Sequence, residues 1–391
     1  MNLTSIDIFC HVIDNFGDAG VVYRFARALR EEYHQVQIRI FIDDPAPLHA
    51  IAPAIDPVRF IQEIETITVV NSNALTAEQV ASLGVADIVV EAFACHIPEC
   101  YLEVALFSSH YIINLEYLSA EPWVEEYHLK QSLLPRGTIK KYYFMPGFTT
   151  STGGIILDRF ITMLRSEHKR FRNKLLQYTV QSTGIDITVP PHSLIGTVFT
   201  YQRNFHALFT ALTELTHPVV LLCFGEKTHR SILDTLAENA PSAGASVLTY
   251  RNCTIILMPF IAQQEYDRLL CCTEFNIVRG EDSLVRAILA AKPFIWNAYL
   301  QDEKYQKVKV EAFATMMQEY FDDREIFEHY RNLLMHFNDA PEESVDHRTD
   351  EDFTDFFRNL KKIEHSTRKL CYFIEQNCNL AGKFSDFIKT L

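Results

Sequence analysis

The 391-residue sequence has no apolar run approaching the ~20 residues that a membrane-spanning helix needs. Its first residues, Met1–Asp7, carry no basic segment of the kind that opens a secretory signal. Basic side chains are in short supply, with 36 Lys and Arg against 50 Asp and Glu and a formal charge of −14. A surface this acidic repels a phosphate backbone, so a nucleic-acid polymer is excluded as the expected partner, although a local pocket can still take a nucleotide. None of the nine cysteines stands in a C-x-x-C pair, and Cys95-His96 and Cys100 have no second Cys/His pair at ligand spacing. Buried, reduced thiols are therefore expected, with no metal site, in a soluble cytoplasmic protein. The G-x-G-x-x-G fingerprint is also missing, which argues against a nicotinamide dehydrogenase.

What is present is a βα rhythm in two series. Ile6–Val12, Val36–Ile42, Ile67–Val70, Asp87–Phe93 and Tyr111–Leu115 are strand-like apolar runs, and Gly20–Tyr33 has helical apolar spacing. Such runs suit parallel strands buried on both faces. The turn-rich segment Pro146–Gly154 interrupts the series, and a basic helical piece follows around Arg165–Lys174. Strand runs resume at Leu194–Tyr201, Val219–Phe224, Thr254–Met258 and Phe275–Val278, with helices starting near Phe205, Lys227, Glu265 and Asp282. The chain beyond Gln301 reads as helical and charged. The pattern predicts an α/β protein with two facing Rossmann-like domains and an interdomain cleft. One domain comprises residues 1–155, joined by a C-terminal helix 366–391, and the other residues 185–365.

Two segments carry chemistry. Asp14-Asn15-Phe16-Gly17-Asp18-Ala19-Gly20 lies between the first strand and the first helix. Gly17 and Gly20 permit a tight turn there, and two carboxylates on such a turn suit a base or a cationic acceptor and repel a diphosphate. The alternative is an Asp that caps the helix. Arg279-Gly280-Glu281-Asp282-Ser283 ends a strand and opens a helix, where free N–H groups, the Arg279 guanidinium and the Ser283 hydroxyl suit phosphate, and Glu281 suits sugar hydroxyls. The alternative is a capping box with a surface arginine. Phe199, Tyr201 and Phe260 stand near strand ends where a base can stack, or else they pack in the core; Gln263 is near enough to read a pyrimidine edge.

On these residues the sequence resembles the elongation factor P (EF-P) arginine rhamnosyltransferase family, EarP. The resemblance is carried by Ile8-Phe9-Cys10 running into Asp14–Gly20, by Glu91-Ala92-Phe93-Ala94-Cys95, and by Glu116–Glu121 with Trp123-Val124-Glu125. Pro146-Gly147-Phe148, Thr152-Gly153-Gly154 and Arg279–Ser283 complete it. It implies a GT-B-like glycosyltransferase that moves L-rhamnose from TDP-β-L-rhamnose, bound mainly by the second domain, to an arginine of EF-P engaged by the first. It further implies inversion at the anomeric carbon and no cofactor or metal. By the same resemblance Asp18 falls on the general base, Asp14 on its companion, and Glu281 on an essential acid. Phe199, Tyr201 and Phe260 fall on nucleotide-stacking rings, Gln263 on a base-reading amide, and Arg279, Asp282 and Ser283 on the diphosphate site. Tyr299 falls on a donor loop, where Trp296-Asn297-Ala298-Tyr299-Leu300-Gln301 keeps only Trp, Tyr and Gln of the family pattern. Two alternatives remain: another GT-B nucleotide-sugar transferase with a different acceptor, and a non-catalytic nucleotide-binding protein.

Overall fold

A computed structural model describes residues 3–13, 16–134, 139–186, 189–236, 246–300, 305–339 and 348–391. The chain divides into two compact units, Met1–Asp158 with Phe373–Leu391, and Arg159–Tyr372.

The first unit is built on an eight-stranded sheet. Its strands are β1 (Ser5–Cys10), β2 (Gln37–Ile42), β3 (Ile61–Ile64), β4 (Ile67–Asn71), β5 (Ile88–Ala92), β6 (Tyr111–Leu115), β7 (Gln131–Ser132) and β8 (Lys140–Phe144). They lie in the order β3-β4-β2-β1-β5-β6-β8-β7. All neighbours are parallel except the two edge pairs β3/β4 and β7/β8. Alternation along β1 divides the core: Ile6, Ile8 and Cys10 pack toward one face, and Phe9 joins Phe41, Val89 and Tyr101 on the other. The C-terminal helix Leu380–Thr390 closes the first face, where Phe384 meets Phe25 and Phe144 edge-on at 5.4 and 5.3 Å. Gly154 (φ +80°) makes this return possible, because a Cβ there would lie 2.4 Å from the Cys378 carbonyl oxygen. A buried ion pair spans the second face. Arg39 donates from Nε and Nη2 to the two carboxylate oxygens of Asp7, each at 2.6 Å, and the Tyr101 hydroxyl donates to the same carboxylate.

The second unit holds a six-stranded sheet of β9 (Leu194–Phe199), β10 (Val219–Phe224), β11 (Val247–Tyr250), β12 (Cys253–Met258), β13 (Phe275–Arg279) and β14 (Phe294–Asn297). The order is β11-β12-β10-β9-β13-β14, parallel except at β11. Close packing is tight between β9 and β13: a Cβ on Gly196 would lie 2.1 Å from the Phe275 ring. The basic piece expected near Arg165–Lys174 is the middle of a 23-residue helix, Arg159–Gln181. The helix Leu360–Asn377 carries the chain from the second unit back to the first. Among the described residues, no helix is long and apolar enough to cross a membrane.

One expectation is corrected here. Gly17 and Gly20 are not on a turn: the first helix begins at Phe16 and runs to Glu32, enclosing both. Ala19, Val22, Tyr23, Ala26 and Leu29 bury one side of that helix. Such packing outweighs the roughly 1 kcal/mol that glycine costs in a helix.

Candidate functional site

In each sheet the chain runs outward from a central strand on both sides, so the strand order reverses at β1/β5 in the first unit and at β9/β13 in the second. The carboxyl ends of the strands at such a reversal leave a crevice that adjacent loops do not cover, the usual ligand position in open α/β sheets. The described part of the first segment, residues 16–20, and the whole of the second, Arg279–Ser283, lie at these points.

In the first unit Asp18 stands in the first turn of the helix Phe16–Glu32 and is buried, 2% exposed. One carboxylate oxygen accepts the backbone N–H of Ile13 at 2.9 Å, and the other accepts the hydroxyl of Tyr117 at 3.1 Å. Burial, with the Asp18 charge nearby, pushes the neighbouring Cys10 thiol well up, so that sulfur stays protonated. Asp14 lies outside the described residues.

Tyr117 follows β6 and lies flat on Phe93, their ring centroids 4.2 Å apart and their planes 12° from parallel. Phe93 and Ala94, at the end of β5, both have left-handed backbones, φ +58° and +53°. Two such non-glycine residues store on the order of 1–3 kcal/mol each. Local hydrogen bonds hold them there: Phe93 N–H to the Leu115 carbonyl at 2.7 Å and Ala94 N–H to Asn114 Oδ1 at 3.3 Å. Nearby, Lys141 donates to Glu91 at 2.7 Å, the Asn114 amide donates to Glu116 at 2.7 Å, and His11 pairs with Asp43. Sequence reasoning quoted Phe93 and Tyr117 within motifs but gave neither a role. The meeting of Tyr117 with Asp18 is a product of strand order, which local spacing does not reveal.

In the second unit Arg279 ends β13 and precedes the helix Gly280–Ala290. Its guanidinium carbon lies 4.2 Å from the Phe199 ring centre and 4.9 Å from that of Tyr201, both at the end of β9. These two rings therefore hold the arginine, a role that the sequence reading did not anticipate for them. Arg279 stands at the N-cap position of that helix, and its guanidinium, a donor only, points to the two rings. Gly280 (φ +65°) makes the sharp entry into the helix, and its carbonyl accepts the Trp296 indole N–H at 2.9 Å.

The rest of the set gathers at the same strand ends. Tyr299 packs edge-on to Tyr201 at 5.4 Å, and Lys227 Nζ lies 5.7 Å from the other ring partner of Arg279, Tyr201. Lys227 is a cation that the motifs did not point to. Glu281 accepts from Lys309 at 3.2 Å, and the Gln263 amide lies 3.5 Å from an Asp282 carboxylate oxygen. Ser283 follows in the first turn of the helix. Phe260 and Tyr299 present the open aromatic faces, 56% and 55% exposed. Among the described residues, no three His, Cys, Asp or Glu side chains converge as metal ligands would.

Comparison with known proteins identifies the family and the fold. The model of a family described as "Elongation-Factor P (EF-P) rhamnosyltransferase EarP" matches residues 6–389. A protein-arginine rhamnosyltransferase of Pseudomonas putida is 35% identical over 310 residues, covering 78% of this chain and 80% of the relative. That of Pseudomonas aeruginosa is 33% identical over 317 residues, covering 80% and 82%. A solved structure described as "Structural basis for EarP-mediated arginine glycosylation of translation elongation factor EF-P" covers 99% of both chains with a TM-score of 0.66 at 23% identity. A glycosyltransferase from Rickettsia africae covers 100% of this chain and 98% of its own, with a TM-score of 0.52 at 10% identity. The chain belongs to the EarP family; it is a protein-arginine rhamnosyltransferase with the GT-B fold.

Proposed function

We propose that this protein-arginine rhamnosyltransferase transfers L-rhamnose from TDP-β-L-rhamnose to an arginine side chain of EF-P, in the cytoplasm, by a single inverting displacement that requires no metal or cofactor. The observation that carries the reading is the opposite chemistry at the two strand reversals. Asp18 brings a carboxylate to the first, and Arg279 with the helix start Gly280–Ser283 brings a cation and N–H donors to the second.

A guanidinium has a pKa above 12 and delocalised lone pairs, so it is a poor nucleophile until a carboxylate orients it and takes its proton. In the proposed step an arginine nitrogen bonds to the anomeric carbon as the bond from that carbon to the diphosphate oxygen breaks. The proton from that nitrogen passes to Asp18, with Asp14 as its companion, and TDP leaves with the electron pair. Arg279, Ser283 and the first-turn N–H groups, which include that of Asp282, stabilise the growing negative charge on the diphosphate. The thymine stacks among Phe199, Tyr201 and Phe260 with Gln263 at its edge; Glu281 and Tyr299 hold the sugar. Inversion follows because one displacement occurs and no covalent intermediate forms.

The test is incubation of the protein with EF-P and TDP-rhamnose without added divalent metal, with chelator present, followed by intact-mass measurement. One added deoxyhexose per EF-P is expected, lost when the acceptor arginine is replaced by lysine. Transfer from a UDP-sugar in place of TDP-rhamnose, or binding of TDP without any transfer, would overturn the reading.

A further inference from the structure

We infer that Tyr117 is a positioning residue, whose hydroxyl fixes the Asp18 carboxylate in the orientation that proton transfer needs. The inference rests on the reading of Asp18 as the base. It begins from the way the two carboxylate oxygens are held. Ile13 N–H takes one and the Tyr117 hydroxyl the other, so rotation about the last side-chain bond would break at least one bond to a charged acceptor. The Ile13 bond comes from the segment just ahead of Asp18. The Tyr117 bond comes from beyond β6, two strands across the sheet from β1, and ties the carboxylate to a different part of the framework.

Tyr117 is itself well fixed. Its ring lies flat on Phe93, and Phe93 is pinned in its left-handed conformation by the Leu115 carbonyl at the end of β6. Strained backbone therefore supports an aromatic shelf, and the shelf supports a hydroxyl aimed at the carboxylate. A ring needed only for packing has no reason to direct its hydroxyl at a buried carboxylate. Because Tyr117 is 37% exposed, loss of the hydroxyl leaves no internal cavity.

The decisive pair of variants is Tyr117→Phe, which keeps the ring on Phe93 and removes only the hydroxyl, and Tyr117→Leu, which removes both. Turnover at saturating donor and acceptor is expected to fall on the order of ten-fold in Tyr117→Phe, the equivalent of one hydrogen bond to a charged group. Both KM values and the unfolding midpoint are expected to stay at wild-type values. Wild-type turnover in Tyr117→Phe, with Tyr117→Leu impaired, would assign the residue to packing and overturn the inference. Equal changes in kcat and KM would overturn it as well, since a general loosening of the site moves both. Asp18→Asn run alongside separates the two claims. An inactive Asp18→Asn with a normal Tyr117→Phe defeats only the role of Tyr117, whereas a fully active Asp18→Asn defeats the base and this inference together.

Discussion

Replacement of Arg279 by alanine should weaken TDP binding through the phosphates alone. The guanidinium is already ordered by two rings, at 4.2 Å from Phe199 and 4.9 Å from Tyr201. A side chain stacked in this way surrenders little further freedom when an anion arrives, so most of a charge-assisted bond appears as affinity. Such a bond contributes about 1.5–3 kcal/mol, which corresponds to a roughly 10- to 150-fold higher Kd in Arg279→Ala. Lysine keeps the charge but loses the planar fork and the fit between two faces, so Arg279→Lys should fall between wild type and alanine. The assay is calorimetric titration with TDP and, as the control, with thymidine, which has no phosphate. The loss should be large for TDP and absent for thymidine, with the melting temperature recorded to show that the variants are folded. Equal losses for the two ligands would mean that Arg279 props Phe199 and Tyr201 in place for the base and does not bind phosphate. A loss below about three-fold for TDP would refute the argument outright.

Asp18→Asn should fold, because the amide oxygen can accept the Ile13 N–H while its NH2 donates to the Tyr117 oxygen. Its turnover should nonetheless fall on the order of 10²- to 10⁴-fold, measured by the time course of EF-P mass; a rate within ten-fold of wild type would refute the base assignment. Arg39→Met strands the buried Asp7 carboxylate, whose only other side-chain donor among the described residues is Tyr101, and should cost about 3–5 kcal/mol in urea unfolding. An unchanged unfolding midpoint would mean that the pair contributes nothing net. Burial, with Lys383 adding to it, lowers the His128 pKa from 6.5 to about 4, and the neutral ring accepts the Met145 N–H at 3.1 Å. The unfolded chain binds a proton near 6.5 that the folded chain refuses until about 4. The stability contributed by the neutral ring is thus complete above 6.5 and disappears as pH falls toward 4. His128→Asn, which offers an oxygen to the same N–H and does not titrate, should flatten the unfolding curve in that window, and a slope identical to wild type would count against it.

How much could be read in advance depended on whether a residue's environment was local. The central strands were legible because a parallel sheet covered on both faces demands uninterrupted apolar stretches such as Val219–Phe224, all six of whose residues are buried. The edge strands β3 and β11 were not, since Ile61–Ile64 and Val247–Tyr250 are short and half-exposed and carry no such stretch. β14 was hidden for a different reason: Trp296 and Asn297 were read as part of a donor loop, whereas they end a buried strand. At the first site the spacing of Asp14 and Asp18 was plain, but the helix starts early enough to enclose both glycines, because the apolar face that follows them outweighs their cost.

The second site shows the limit most clearly, and also why the two units differ in chemistry. Phe199 and Tyr201 were legible as rings near the end of a strand, but their hold on Arg279 joins positions about eighty residues apart. That contact exists only because β13 lies beside β9. The same strand reversal in the first unit brings Tyr117 to Asp18, also across a long separation in sequence. One sheet pattern therefore presents two unlike groups at its equivalent point, a carboxylate steadied by a phenol and a guanidinium steadied by aromatic faces. A reaction that takes a proton from a strongly basic nitrogen and leaves charge on a departing diphosphate would use both, the first to accept the proton and the second to stabilise the charge.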